Sequence, residues 1–228
     1  VTMIRLLLVI FFLTAFFQKT LFAAYPAPRK SSYGMVAAAH PLATNAGVAI
    51  LKKGGNAVDA AIATALVISV VEPFSAGLGG GGFLLIYLNK NEKTYALDFR
   101  ERAPQKAHRD MYNTKNGHFD PDLALNGYLS VAVPGTLAGL VEAHKKYGKL
   151  SWKKLVAPAI KYAQNGFIVD PHFVAHFYYR KTVLERYPES KAIFTKNGQP
   201  YRVGERLRQK DLANTLKLIA HSPAQFYS

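Results

Sequence analysis

The chain contains no cysteine among its 228 residues, and this absence limits the chemistry that it can perform. Without thiols there can be no disulfide bonds, no thiolate nucleophile and no cysteine ligands for zinc. The absence is compatible with export to a compartment in which the protein has no use for thiols. Low-complexity tracts and internal repeats are also missing, so the chain is interpreted as one continuous segment.

Acidic residues are scarce, with 14 against 29 lysines and arginines, which gives a net charge of +15. Such an excess is typical of proteins that neutralise nucleic-acid phosphates. The basic residues are nevertheless distributed along the sequence as singles and pairs, and no arginine-rich tract alternates with aromatic residues. The sequence therefore predicts no nucleic-acid partner, and an acidic portion of the molecule outside this chain would explain the imbalance equally well.

The longest apolar run is short and lies close to the start of the sequence. It covers residues 6–17, follows Arg5 and leads to the small residues Ala23 and Ala24. A membrane-spanning helix needs about 20 apolar residues, so this run predicts a secretory signal over residues 1–24. We therefore expect a secreted or periplasmic protein with no stable membrane anchor after signal removal.

The remaining pattern predicts a mixed α/β fold of the α+β type. Apolar residues surround the whole circumference of the helix predicted over 57–71, so this helix should be buried, and Asp59 lies in its first turn. Residues 100–127 are polar and rich in turn residues, which is typical of a long loop, and Asn197-Gly198 indicates a tight turn. Further helices are predicted over 44–53, 136–147, 152–164, 171–187 and 211–221, and strands over 83–88, 93–99 and 128–133.

A glycine run separates the predicted buried helix from the first predicted strand. Gly77, Gly79 and Gly82 match the G-x-G-x-x-G spacing of dinucleotide-binding loops. That motif must follow a strand and open a helix, whereas this run follows a helix and opens a strand. The run instead predicts a turn without side chains, at which either another chain segment or a substrate passes close to the backbone.

Arg100 is the candidate binding residue, because it ends a predicted strand and begins the long loop. A guanidinium group at such a position can hold a carboxylate through two parallel hydrogen bonds. The alternative is an ordinary surface ion pair with Asp98 or Glu101.

Histidine offers no comparable site, because His172 and His176 are four residues apart but lack a third ligand nearby. We therefore predict no metal site, and packing or surface roles for these two histidines.

Three motifs together resemble one enzyme family. They are GMVAAAHPLATNAGVAILKKGGNAVDAA from Gly34, GLGGGGF from Gly77 and ALDFRERAPQKAHRDMY from Ala96. In combination they resemble the large-subunit half of gamma-glutamyltransferase precursors, which are N-terminal-nucleophile hydrolases with an αββα sandwich fold. The resemblance implies that residues 25–228 are an incomplete large-subunit region, which contains only part of that sandwich.

The resemblance also implies a mechanism whose central residue is not in this chain. Family precursors cleave themselves to expose a threonine at the start of a small subunit, and that threonine attacks the gamma-glutamyl amide of glutathione-like substrates. The T-T-H-[FY]-S type start of that subunit does not occur in this sequence. Thus the chain is expected to hold no catalytic residue, to need no cofactor and to be inactive without its small subunit.

One binding residue is carried over from the family. In the D-F-R-E type motif the arginine holds the alpha-carboxylate of the gamma-glutamyl group, and Asp98-Phe99-Arg100-Glu101 matches that motif. Arg100 is therefore the expected substrate contact, with glutathione as donor and amino acids or peptides as acceptors.

Three alternatives to this function stay open on the sequence alone. One is a family relative that acts as an amide acylase or on glutamyl polymers, since specificity would lie largely in the missing half. Another is a non-catalytic exported basic protein that binds an acidic surface. The third is the nonfunctional remnant of a disrupted gene.

Overall fold

A computed structural model describes residues 28–228, so the signal predicted over 1–24 lies outside the described residues. The chain divides into two units, one up to Met35 and one from Val36 onward. In the first unit the described residues are irregular, and Ser31 Oγ accepts hydrogen bonds from the amides of Tyr33 and Gly34. No helix within residues 28–228 combines the length and apolar character that a membrane crossing requires.

The second unit combines eight α-helices with six short strands, which confirms the predicted α+β type. The helices are α1 Pro41–Lys52, α2 Ala57–Val71, α3 Pro121–Leu125, α4 Thr136–Tyr147, α5 Trp152–Asn165, α6 Pro171–Leu184, α7 Pro188–Phe194 and α8 Lys210–His221. The strands are β1 Phe83–Leu88, β2 Lys93–Asp98, β3 Phe167–Ile168, β4 Thr195–Lys196, β5 Gln199–Pro200 and β6 Arg206–Leu207.

The centre of the fold is α2, which begins and ends as the sequence predicts and is buried nearly all round. It packs against α1, α4 and α5, and α8 packs against α5. The neighbouring α1 begins three residues earlier than predicted, because His40 caps it through Nδ1 and Pro41 occupies its first turn. Proline is favoured at that position, since its missing N–H would have no partner within the helix.

The strands β1 and β2 form the predicted antiparallel hairpin, with Phe83 opposite Asp98 and Leu88 opposite Lys93. One face of β1 points toward the core and buries Ile86. Its other face carries Phe83, Leu85 and Tyr87, whose exposed fractions are 65%, 74% and 60%. In a strand with one buried face, apolar residues normally alternate with polar ones. In β1 both faces carry apolar side chains.

The strand predicted over 128–133 is wrong. Tyr128–Ser130 is a turn of 3₁₀ helix, and only Val133 forms a β-bridge, with Arg102. Gly127 has a positive φ of 86°, and its carbonyl accepts a hydrogen bond from Ser130 Oγ, which closes the turn. The alternating apolar residues at 129, 131 and 133 are exposed. Their alternation predicted a half-buried strand, but none of these side chains is buried.

The helix predicted over 171–187 is also wrong at its end, because α6 stops at Leu184 and a separate α7 follows. Pro188 opens α7 and holds Tyr187 in an extended conformation, as expected for the residue before a proline. The Asn197-Gly198 turn is confirmed, since it joins β4 to β5 with positive φ at both residues.

A buried carboxylate holds the start of α2 against the link between α4 and α5. Asp59 is fully buried and accepts the backbone N–H groups of Asn56, Lys149 and Leu150 at 3.0–3.2 Å. Asn56 completes the joint by donating its side-chain amide to the carbonyl of Tyr147 at 2.6 Å. The sequence predicted only a favourable dipole contact for Asp59, whereas the structure gives it contacts 90 residues away.

We expect Asp59→Asn to lower the free energy of unfolding by about 3 kcal/mol, because the new amide group would face backbone donors that need an acceptor. Urea denaturation followed by the fluorescence of Trp152, the only tryptophan, measures this change. The matched control is Asp211→Asn, an exposed acid in the first turn of α8, which should cost less than about 0.5 kcal/mol. Equal effects of the two substitutions would contradict the role of Asp59.

Candidate active site

The segment Asp98-Phe99-Arg100-Glu101 leaves the end of β2 and presents the Arg100 side chain at the surface. Asp98 Oδ1 accepts the backbone N–H of Arg100 at 2.9 Å, which fixes the turn out of the strand. The Arg100 side chain is 65% exposed, and its Nε lies 3.5 Å from Glu101 Oε2. Its guanidinium carbon lies 5.8 Å from the ring centroid of Phe83, within the range of a cation–π contact.

The glycine run lies directly beneath this segment. A Cβ atom on Gly81 would lie 2.6 Å from the carbonyl oxygen of Phe99 and 2.9 Å from the Cα atom of Arg100. Any side chain at position 81 would therefore push the segment away. This confirms the predicted close approach of another chain segment to the glycine run.

Two further glycines allow α4 to approach the opposite side of the same segment. A Cβ atom on Gly135 would collide with the carbonyl oxygen of Phe99, and one on Gly139 would collide with the Phe99 ring. The backbone at Phe99 and Arg100 thus passes between the glycine run on one side and the start of α4 on the other. Nothing in the sequence marks Gly135 or Gly139 as part of the site, because only the fold brings α4 to this position.

Backbone hydrogen bonds join the three pieces. The carbonyl of Gly80 accepts the N–H groups of Gly135 and Thr136, both at 2.9 Å, and so caps the start of α4. Gly82 and Phe99 exchange a pair of hydrogen bonds at 3.0 and 3.3 Å. Arg102 and Val133 exchange a second pair at 2.8 and 3.1 Å. We call the glycine run, the start of α4 and the segment between them the platform beneath Arg100. Main-chain hydrogen bonds hold it together on both sides of the segment, and these bonds do not depend on side-chain rotamers.

Two hollows adjoin the segment. One has a volume of about 320 Å³ and is lined by Arg100, Arg102, Asp98 and Glu142 among others. The other, of about 430 Å³, lies over the glycine run and is lined by Glu101, Thr136 and two serines. In the first, a hydrogen bond from Lys146 lowers the pKa of Glu142, so this hollow contains carboxylates as well as two guanidinium groups. A carboxylate ligand would be drawn to the arginines and repelled by these acids, which limits where it can bind.

The long loop after Arg100 is held by an ion pair at its far end. Arg186 donates two hydrogen bonds to Asp122, at 2.7 and 3.0 Å, and Asn126 donates a third. These contacts lower the pKa of Asp122 to about 2. The lowered value means that the ion pair stabilises the folded state at pH values above the ordinary carboxyl range and loses this effect as the pH falls toward 2. The loop is thus anchored throughout the neutral range.

The histidines at 172 and 176 have packing contacts. The ring of His176 stacks on Phe74 with centroids 4.2 Å apart and planes 3° from parallel, and His172 contacts Phe74 edge-on at 5.3 Å. Within residues 28–228, no three histidine, aspartate or glutamate side chains gather closely enough to hold a metal ion.

The family model of gamma-glutamyltranspeptidase matches residues 43–228, which is most of the chain. The chain belongs to this family. A glutathione hydrolase proenzyme from Escherichia coli (strain K12) is 45% identical over 202 residues, which cover 88% of this chain and 35% of that protein. The chain therefore spans about a third of the length of this gamma-glutamyltranspeptidase relative, and the resemblance predicted from the three motifs is confirmed.

Solved structures show the same relationship. The Helicobacter pylori gamma-glutamyltranspeptidase matches with a TM-score of 0.82 and 39% identity, covering 85% of this chain and 56% of that one. A cephalosporin acylase from Bacillus halodurans matches with a TM-score of 0.72 and 33% identity, covering 87% of this chain and 38% of that one. These matches confirm the predicted fold, in which the described residues form part of the N-terminal-nucleophile hydrolase architecture.

We expect Gly135→Ala to loosen the platform beneath Arg100, because the new methyl group would collide with the Phe99 carbonyl. The backbone of Gly135 has an ordinary φ of −104°, so steric overlap, rather than backbone strain, would cause the change. Hydrogen exchange at the amides of Phe99 and Thr136 should become at least about tenfold faster. The matched control is Gly79→Ala, since a Cβ atom there meets nothing within 4 Å. Unchanged exchange in Gly135→Ala would show that the platform does not need this clearance.

Proposed function

We propose that this chain is the large-subunit region of an exported enzyme that transfers or hydrolyses the gamma-glutamyl group of glutathione-like substrates. In this proposal Arg100 holds the alpha-carboxylate of that group. The observation that carries it is the exposed guanidinium of Arg100, whose backbone lies between glycines that leave no room for a side chain. The name of the Escherichia coli relative, a glutathione hydrolase proenzyme, supports the choice of substrate.

The contacts of Arg100 leave it able to take a carboxylate. Its ion pair with Glu101 is long, with 3.5 Å between Nε and Oε2, and its guanidinium donates no hydrogen bond to another residue within 28–228. Two parallel hydrogen bonds from a guanidinium edge match the geometry of a carboxylate, whereas a lysine ammonium acts as a point charge. Binding would therefore replace water on the guanidinium nitrogens rather than break a strong ion pair.

The chemistry would be completed by a small subunit that follows this region in the family precursor. Its N-terminal threonine hydroxyl would attack the gamma-glutamyl amide carbon while its free amine accepts the proton. The C–N bond would then break, the leaving amine would take a proton, and the acyl-enzyme would pass to water or to an acceptor amine. Backbone or side-chain donors would stabilise the oxyanion of each tetrahedral intermediate. This chain would supply the carboxylate clamp and no reacting group.

An exposed apolar surface supports the need for a partner. Phe83, Leu85 and Tyr87 form one face of β1 and are more than half exposed. A two-stranded hairpin with an uncovered apolar face is marginal in water. We infer that the small subunit covers this face, which would also bring its threonine close to the end of β2 and to Arg100.

A second candidate is an amide acylase that acts on substrates without a gamma-glutamyl group. The structural match to the cephalosporin acylase favours it, because the same large-subunit region is found in both proteins. An alpha-carboxylate clamp distinguishes the two, since an acylase whose acyl group lacks the alpha-amino acid would make no use of Arg100.

The decisive experiment uses release of a chromophore from a gamma-glutamyl anilide. We expect no release by the chain alone, and release when the chain is assembled with the remaining part of the Escherichia coli relative, which includes the rest of its large subunit and its small subunit. In the assembled pair Arg100→Ala should lower kcat/KM by about 100-fold, because a charged pair of hydrogen bonds to the substrate is lost. Arg100→Lys should recover only part of this loss.

The matched control is Arg208→Ala, an exposed arginine outside the site, which should leave kcat/KM unchanged. Turnover by the chain alone would overturn the assignment of the nucleophile to the small subunit. Full activity of Arg100→Ala on the anilide would overturn the carboxylate clamp. Activity of the pair on acyl anilides that lack the alpha-carboxylate, with no effect of Arg100→Ala, would favour the acylase.

A further inference from the structure

The fold gathers lysines that are far apart in the sequence at one corner of the molecule. The α1 helix ends at this corner, as does α4, and both α2 and α5 begin there. We call this surface the lysine corner. It consists of Lys52, Lys53, Lys145, Lys146, Lys149, Lys153 and Lys154, all of which are exposed.

The joint around Asp59 is what creates the lysine corner. Asp59 accepts the backbone N–H of Lys149, and Asn56 donates to the carbonyl of Tyr147, so the link between α4 and α5 is fixed at the start of α2. Gly55, which follows α1, comes so close to Leu150 that a Cβ atom would lie 3.0 Å from its side chain. The three lysine pairs of the sequence therefore lie around one buried contact.

Little negative charge opposes these lysines. Among residues 28–228, Lys146 is the member of the corner that has an ion pair, with Glu142 at 3.0 Å. The carboxylate of Asp59 is fully buried and already accepts several backbone N–H groups. The corner thus presents an excess of positive charge to solvent, from short chain segments that are held rigidly.

Helix stability explains only part of this arrangement. Lys52, Lys145 and Lys146 lie in the last turns of α1 and α4, where positive charge favours the helix dipole. Lys153 and Lys154 lie in the first turn of α5, which contains no acidic residue, and a positive charge there opposes the dipole. Helix stability therefore does not account for the Lys153-Lys154 pair.

We propose that the lysine corner binds the anionic headgroups of a lipid bilayer surface. Lysine ammonium groups act as mobile point charges, which suits a fluid array of headgroups, and the corner contains no arginine for bidentate phosphate binding. Its aromatic neighbours, Tyr147 and Trp152, are half-buried rather than presented for base stacking, which argues against a nucleic acid. The apolar run over residues 6–17 also predicts that the chain meets a membrane during export.

The position of the corner leaves the candidate active site open. The α4 helix begins at the glycine-lined platform and ends at the lysine corner, so its 12 residues separate the two by about 18 Å. A bilayer at the corner would therefore hold the protein while Arg100 stays accessible. The inference does not depend on the proposed enzymatic function, since it concerns only charge at the opposite end of α4.

The test is sedimentation of the full chain with vesicles of phosphatidylcholine, alone or with about one-third phosphatidylglycerol. The corner variant replaces five lysines by glutamine, and the control variant replaces five exposed lysines elsewhere, so both have the same net charge. The corner variant changes Lys52, Lys53, Lys149, Lys153 and Lys154, and the control changes Lys106, Lys115, Lys191, Lys210 and Lys217.

We expect the corner variant to bind anionic vesicles at least about 100-fold more weakly than the natural chain, because each lysine near such a surface contributes roughly fivefold. The control variant should lose about fivefold or less, and binding to neutral vesicles should be the same for all three proteins. Added salt should weaken the anionic component, and assembly with the small subunit should preserve it.

Equal losses in the two variants would show that overall charge, not the corner, attracts the chain, and would overturn the proposal. The proposal would also be overturned if the chain assembled with its small subunit did not bind anionic vesicles. Displacement of the chain from anionic vesicles by a short DNA duplex at matched phosphate concentration would instead assign the corner to nucleic acid.

Discussion

The structure depends on one steric constraint, the passage of the backbone at Phe99 and Arg100 between two glycine-lined walls. Gly81 supplies one wall and Gly135 the other, and in neither place is there room for a methyl group beside the Phe99 carbonyl. The carbonyl of Gly80 then caps α4, so the clearance also sets where that helix begins. An exposed arginine is normally a mobile group, but here its Cα atom is placed by main-chain contacts and only the side chain remains free to adjust.

The α4 helix connects two surfaces that are built in different ways. At its start, glycines and backbone hydrogen bonds present Arg100, and at its end, the joint around the buried Asp59 gathers the lysine corner. The first surface is selective, since a planar guanidinium favours one ligand geometry. The second depends on the density of charge, which attracts an extended anionic surface without a precise fit. A rigid α4 would keep the two at a constant separation.

Much of the local structure could be predicted from the sequence, because it is encoded by neighbouring residues. The bounds of α2, the β1–β2 hairpin and the Asn197-Gly198 turn follow from capping, periodicity and turn chemistry, and Arg100 was identified by its motif. Two missed boundaries, the start of α1 and the end of α6, depend on the local prolines Pro41 and Pro188, whereas the other failures involve distant contacts or exposed faces. Residues 128–133 have the alternation of a strand but no core to bury it, and the clearance at Gly135 and the gathering of the lysine pairs exist only after folding.

The central claim is that the glycine-lined platform places Arg100 to hold an alpha-carboxylate. Its most direct test is a crystal structure of this chain assembled with the remaining part of a family member, including its small subunit, and with glutamate bound. The account predicts that both terminal nitrogens of Arg100 lie about 2.7–2.9 Å from the oxygens of the alpha-carboxylate. A glutamate whose alpha-carboxylate is held by Arg102 or by the small subunit alone, with Arg100 turned to solvent, would contradict it.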